Sequence, residues 1–452
     1  MEKELFSLYT HTLQHVAFLR VLSGKRHCHL FSRWIGNWRN LQTKYISWKP
    51  HTYWLSLLCG PVFLLLAACA SQSFNYDLAH SDAVLDRALT QAREDIRVSV
   101  SVPGQEETQA IFGLPLYERG IQPVWIEVEN NSQERIRFAP TGLDHYYFSP
   151  LEVAYMHRKG FSKEARSDMD RFFHENAMPR QIPGGQTRSG YVFSHASPGT
   201  KSFNIDLYGK TSDLSFTFFV QVPGFTPDHA YIDFESLYPQ AEIRDIEDSA
   251  LHATLLETSW VTTDPSGEKP GLPLGIVIVA DGLDLLKSLL RAGWYETPRI
   301  TESNQQASAH HLYGRTADAR FRIKRSNQRE RNELHLWLSP IRVEGKSVWL
   351  ALITHFIGQS NALQQAVFGA QFDPDIDDGR NYFMQNLWYS QGLEQMAWLN
   401  GNLPVVIDDT RLDFNDAEYF TDGGLIVTWL SGRPVSMLET RYREWDQPPL
   451  SQ

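Results

Sequence analysis

Pro273-Leu274-Gly275-Ile276-Val277-Ile278-Val279-Ala280 is an unbroken apolar run. Apolar residues at both parities over so short a stretch make a strand covered on both faces, not a half-buried one. Asp281 follows and suits the N-cap of a helix over 282–292. Leu283, Leu285, Leu286, Leu289 and Leu290 form its apolar face, and Gly293 stops it. Further strands are expected near 318–324, 333–339, 346–356 and 423–430. A second helix is expected to start at Asp375 or Asp377 with Phe383, Leu387 and Trp388 inward. The region 270–435 therefore reads as a mixed α+β domain.

Upstream the apolar period is two. Ile96, Val98, Val100 and Val102 alternate with polar residues. Val124 to Glu129 ends at Asn130-Asn131-Ser132 and is followed by Arg135 to Phe138, so 121–139 is expected to be a hairpin. Short strands recur at 190–193, 201–207 and 215–220, and a helical insertion is expected over 151–177. The spacing predicts a β-sandwich-like domain over 96–245. Residues 69–95 read as a polar tether running into a short helix at 83–89, and 262–271, rich in Pro, Gly and Asp, reads as a linker. The fold class is α+β, an N-terminal β-sandwich-like domain followed by a smaller mixed α+β domain.

A second apolar run, Trp54 to Leu65, leads into Leu66-Ala67-Ala68-Cys69, with no charged residue between Pro50 and Tyr76. It is too short to span a bilayer comfortably and suits a signal-peptide core. Leu66-Ala67-Ala68-Cys69 resembles the lipobox of bacterial lipoproteins. The resemblance implies that 1–68 is a basic extension and signal peptide, and that Cys69 becomes a lipidated N-terminus. It implies a cell-envelope setting held by a lipid anchor. Ala70 in place of Asp after the cysteine implies export to the outer membrane, facing the periplasm. The first fifty residues exceed an ordinary n-region; they read as a start placed too far upstream or as a basic extension.

Charge and cysteine usage narrow the class. The net charge is −11, but residues up to Cys69 carry +6, so the remainder carries −17. Such a body is a poor nucleic-acid binder and would be repelled by an anionic bilayer, so acyl chains must hold it. The cysteines are Cys28, Cys59 and Cys69. A chain processed at Cys69 has no structural disulfide, thiolate metal site or cysteine nucleophile.

In the second half Ile276-Val277-Ile278-Val279, Ala292-Gly293-Trp294, His311-Leu312-Tyr313-Gly314-Arg315 with Asp318 and Phe321, Arg331 to Trp337, Ser347-Val348-Trp349-Leu350 and Asp373-Pro374-Asp375-Ile376-Asp377 stand together. Over about 270–395 this resembles the LssY-type carboxy-terminal domain, a bacterial family often fused behind membrane-embedded phosphatase-like segments. The resemblance implies an envelope setting and no particular activity. Relatives typically read His-Ile before the Asp-Pro-Asp-Ile-Asp stretch. Here it is Gln371-Phe372, which removes a histidine that a metal site there would use.

Three groups could carry chemistry. Asp373, Asp375, Asp377 and Asp378 crowd one short stretch. The glycine and the bidentate glutamate of an EF-hand are out of register, so that reading is rejected. Asp375 or Asp377 as a helix cap competes with a general-base or cation-binding role for Asp373, Asp375 or Asp377. With a turn at 340–345, His335 and His355 are expected on one face of neighbouring strands, on non-adjacent rungs. His335 beside the carboxylates would supply acid–base chemistry. Finally, Arg315, Arg320, Arg322, Lys324, Arg325, Arg329 and Arg331 place seven cations in one short stretch. Guanidinium forks suit phosphate or carboxylate, while positive charge also protects a sheet edge. The leading expectation is a binding or scaffolding protein for an anionic glycolipid or an envelope protein. An envelope hydrolase using Asp373, Asp375, Asp377 and His335, possibly metal-assisted, is the alternative. No dedicated metal site, cofactor or nucleic-acid partner is expected.

Overall fold

A computed structural model describes residues 72–211, 213–300, 309–324, 331–357 and 372–447. The lipobox, with Cys69, and Arg325 and Arg329 lie outside the described residues.

The N-terminal half opens with a helical turn, α1 (Asp82–Leu85), then β1 (Leu89–Arg93), β2 (Ile96–Ser101) and α2 (Gln105–Phe112). Next come β3 (Ile121–Asn130), β4 (Ile136–Ala139), α3 (Pro150–Met156), α4 (Lys163–Glu175), β5 (Gln181–Ile182), β6 (Gln186–His195), β7 (Thr200–Tyr208) and β8 (Asp213–Gln221). The helix expected at 83–89 stops at Leu85, and Leu89 already pairs with Val100. Strand pairing therefore begins inside the stretch read as a tether.

Two four-stranded sheets form, in orders β1-β2-β3-β6 and β5-β4-β7-β8. Val98, Val100, Val124, Ile126 and Val128 of the first face Phe138, Ile205, Phe216 and Phe218 of the second. Each such aliphatic side chain contributes about 1.5–3 kcal/mol when fully buried. The other face of the first sheet is also covered: Ile121, Tyr191 and Phe193 pack on Phe112, Met169, Phe172 and Phe173 of α2 and α4. Serines start both helices of the insertion. Ser149 accepts from Glu152 N in a capping box, and Ser162 accepts from Ala165 N.

The expected hairpin at 121–139 is not one. β3 pairs with β2 and β6, whereas β4 pairs with β5 and β7 in the opposite sheet. The chain arches across the core at Asn130. Its buried amide donates to the carbonyls of Glu134 at 2.7 Å and Ile182 at 3.1 Å. A hairpin and an arch have the same strand–turn–strand pattern; the choice rests on partners far along the chain.

The C-terminal half contains β9 (Arg244–Ile246), α5 (Leu251–Leu256), β10 (Val261–Thr263), β11 (Pro270–Pro273), β12 (Ile276–Val279), α6 (Gly282–Arg291), β13 (Tyr295–Glu296), β14 (His311–Leu312) and β15 (Arg315–Thr316). It continues with β16 (Ala319–Lys324), β17 (Arg331–Val343), β18 (Lys346–Phe356), α7 (Ile376–Tyr389), β19 (Leu393–Asn400), β20 (Arg411–Leu412), β21 (Glu418–Tyr419), β22 (Gly424–Leu430) and β23 (Arg441–Arg443). A mixed sheet runs β13-β16-β17-β18-β12-β22-β19-β23, with β9 on β17. β12 lies at its heart, between β18 and β22. Ile276 and Ile278 join the core under α6 and α7, while Val277 and Val279 join the core on the opposite face. Both faces are covered, as the unbroken apolar run predicts.

The stretch 262–271 is not a free linker. β10 and β11 pair with each other, and Asp264 closes their turn by accepting from Glu268 N and Lys269 N. In α6, Leu285, Leu289 and Leu290 are buried, but Leu283 is 60% exposed. Glu296, at the sheet's edge, reaches the first half: it accepts from Thr200 N at 2.6 Å and meets His229 Nε2 at 2.7 Å.

Candidate functional site

The acidic stretch sits where the chain enters α7. Asp375 is the N-cap and accepts from Asp377 N at 3.1 Å, and Asp373 accepts from Asp375 N at 3.1 Å. These are the local side-chain-to-backbone bonds that start a helix. Asp377 turns inward. Its Oδ1 accepts from Thr421 Oγ1 at 2.8 Å and Arg380 Nη1 at 3.1 Å, and its Oδ2 accepts from Asp422 N at 2.6 Å. Arg380 is 2% exposed. It grips Asp422 with both terminal nitrogens, at 2.7 and 2.8 Å, donates to Gly424 O, and lies 5.0 Å from the Trp398 ring.

Electrostatics follow from this packing. Burial lifts the Asp377 carboxyl to about 6, against the pull of Arg380. Asp422 is also raised by burial, but the Arg380 hydrogen bonds and charge outweigh it and hold the carboxyl below its ordinary value. Two carboxylates share one guanidinium, and Asp422 has the better geometry. Asp375 is pushed up, by burial first and then by Asp378 and Asp373.

The cavity beside Asp377 is about 10 Å³, lined by Gly275, Ile353, Ile376, Thr421 and Gly424 among others. That holds one water at most. A hydrolytic base needs a substrate within hydrogen-bond reach; among the described residues the space beside this carboxylate is water-sized.

His335 does not join the carboxylates. β17 and β18 meet in a two-residue turn at Glu344-Gly345, both with positive φ, and the register then shifts between Leu338 and Arg342. His335 consequently lies opposite Leu352, and His355 opposite Asn332. The two histidines are on opposite faces of the sheet, correcting the expectation of a shared face. The two-residue turn sets this parity, and the bulge moves the register by two residues without changing it. His355 accompanies Asp373, with Nδ1 3.4 Å from Oδ2, whereas His335 lies 3.7 Å from Glu333. His310, the other histidine of note, shares a hydrogen bond with Thr262 Oγ1 at 3.0 Å and lies 3.5 Å from Asp413. Among the described residues no group of three His, Cys, Asp or Glu side chains converges for a metal ion.

The cations at 315–331 are largely engaged within the chain. Arg315 binds Asp318 at 2.8 Å, Tyr238 Oη and Leu338 O. Arg320 binds Asp228 at 2.8 Å and Pro298 O. Arg331 donates to Glu333 at 2.7 Å, and Arg322 Nε lies 2.8 Å from that same oxygen without hydrogen-bonding geometry. Burial would raise the Glu333 carboxyl, but His335, Arg322 and Arg331 together hold it well below the carboxylate range. Lys324 is exposed, with its ammonium 5.4 Å from the Tyr295 ring. One carboxylate thus serves two arginines here. Arg380 and Asp422, the strongest pair in this region, were not singled out from sequence. The only signal was an arginine one helical turn after Asp377.

The LssY C-terminus family model matches residues 252–425. The matched stretch runs from α5 to the start of β22 and contains the Asp377–Arg380 pair. This LssY-like domain begins ahead of position 270, consistent with Leu251 and Leu255 packing in its core. No relative was found among curated proteins.

Proposed function

We propose that this chain is a lipid-anchored envelope protein, on the periplasmic face of the outer membrane, whose body binds or scaffolds and does not catalyse. The anchor reading rests on Leu66-Ala67-Ala68-Cys69 behind an uncharged apolar run. Among the described residues no helix is long and apolar enough to cross a membrane. The observation that carries the non-catalytic reading is the use made of the acidic stretch. Asp375 caps a helix, Asp377 is consumed by Arg380, Thr421 and Asp422 N, and the adjoining space is water-sized.

For an anionic partner such as a glycolipid, the candidate contact is the end of β16 and the start of β17, bearing Arg322, Lys324 and Arg331 and extended in sequence by Arg325. Arg315 and Arg320 are each matched by a carboxylate. Arg322 and Arg331 share Glu333, which leaves positive charge over. Two measurements test the reading. Cys69→Ala should move the protein from the membrane pellet to the soluble fraction, and a variant that still pellets overturns the anchor. Charge reversal of Arg322 and Lys324 should abolish co-sedimentation with lipopolysaccharide, and undiminished co-sedimentation overturns this anion-binding contact.

A further inference from the structure

A cleft of about 400 Å³ opens in the N-terminal half, beside the outer edge of β6, the last strand of its sheet. That volume falls within the range of small-molecule sites. Two short bridges prop it open: Phe148 pairs with Phe193, and Ala177 pairs with Tyr191. Five Phe and Tyr residues line it. Phe138, Tyr191 and Phe193 are buried, while Tyr147 and Phe148 are half-buried. Met178 adds an adaptable apolar wall.

The charge on this lining is unusual. Arg180 is exposed, and its guanidinium carbon lies over the Tyr147 ring, 5.1 Å from the centroid. Among the described residues no carboxylate pairs with it. Glu175 lines the same cleft without pairing to Arg180, and the nearby Asp144 is used by His195 N and Nδ1. A ring body fits between aromatic faces, and a guanidinium over a tyrosine ring with no carboxylate partner has its fork available to a carboxylate.

We propose that this cleft binds a small organic carboxylate with a planar apolar body, the rings between Tyr147, Phe148 and Phe193 and the carboxylate on Arg180. Glu175 repels a carboxylate placed the other way round and so sets the orientation. The site is separate from the 315–331 stretch and independent of the lipid anchor.

Full-length protein, dialysed to equilibrium against 2-naphthoate, 2-naphthol and 2-naphthylmethylamine, tests it. Saturable naphthoate binding above that of a protein-free control is expected. Arg180→Gln should weaken naphthoate at least tenfold and leave naphthol unchanged, and Tyr147→Ala should weaken both. Arg180 is exposed, so its replacement leaves the fold intact. Absence of saturable naphthoate binding, equal affinity in Arg180→Gln, or tighter binding of the amine would each overturn the proposal. None of these results bears on lipopolysaccharide co-sedimentation or on Cys69→Ala.

Discussion

Arg380 and Asp422 meet fork to fork inside the LssY-like domain, 2.7 and 2.8 Å apart, joining the second turn of α7 to the loop just before β22. Removing one partner of such a buried pair leaves an uncompensated charge. Asp422→Ala is expected to cost about 3–5 kcal/mol. A fall in the urea midpoint at constant m value would show it.

Asp377 makes stability depend on pH. Its folded pKa of about 6 lies above the ordinary 3.8, chiefly through burial. Between those values the folded chain keeps a proton that the unfolded chain has released. Stability contributed by this group therefore falls as pH rises from about 4 to about 6. Asp422, held low by Arg380, acts oppositely, losing its contribution as pH falls through its folded value. Asp377→Asn is expected to flatten the pH 4–6 slope, by about 1–3 kcal/mol over the window. Chemical denaturation at pH 4, 5, 6 and 7 measures it.

Lys201 is buried in β7, and its ammonium donates to His195 O at 2.8 Å. Burial lowers its pKa to about 8, with Asp144 pulling the other way. Between about 8 and 10.5 the unfolded chain binds more protons, so this group's contribution to stability rises with pH. Lys201→Met is expected to stabilise the protein by about 1–3 kcal/mol at pH 7. The gain should shrink as pH approaches 10.5, as melting temperatures at pH 7 and pH 10 would reveal.

On α6 the apolar leucines are not equivalent. Leu289 is fully buried and Leu283 faces solvent. Leu289→Ala is expected to cost about 2–5 kcal/mol. Leu283→Glu should stay within about 0.5 kcal/mol of the parent protein. Equal losses in thermal unfolding would contradict this assignment of faces.

Local patterns were legible where the physics is local. The run Ile276 to Val279 is buried at both parities because the sheet is covered on both sides. Asp375 caps α7 because a short carboxylate folds back on the backbone two residues on. The misreadings share one cause. Leu283 belongs to the leucine periodicity of α6, yet the core ends before it. The turn at Asn130 is the same whether the next strand pairs with β3 or crosses to the other sheet. The turn joining β17 and β18 is the two-residue Glu344-Gly345 and not 340–345, and that length puts His335 and His355 on opposite faces; the bulge between Leu338 and Arg342 leaves the parity as it was.

Sequence alone determined the α+β composition, the buried β12 strand, the helix start at Asp281, a second helix start at Asp375 or Asp377, and the cysteine placement that the anchor proposal uses. Those depend on side-chain periodicity and on hydrogen bonds spanning a few residues. Only the tertiary structure decided that Asp377 is spent on Arg380, that four of the basic side chains already have carboxylate partners, and that an aromatic cleft opens beside β6. The cleft and the Arg320–Asp228 and Arg322–Glu333 pairs depend on which distant strand or loop lies alongside; Asp377–Arg380, Arg315–Asp318 and Arg331–Glu333 join near neighbours, but the packing around them decides that they close.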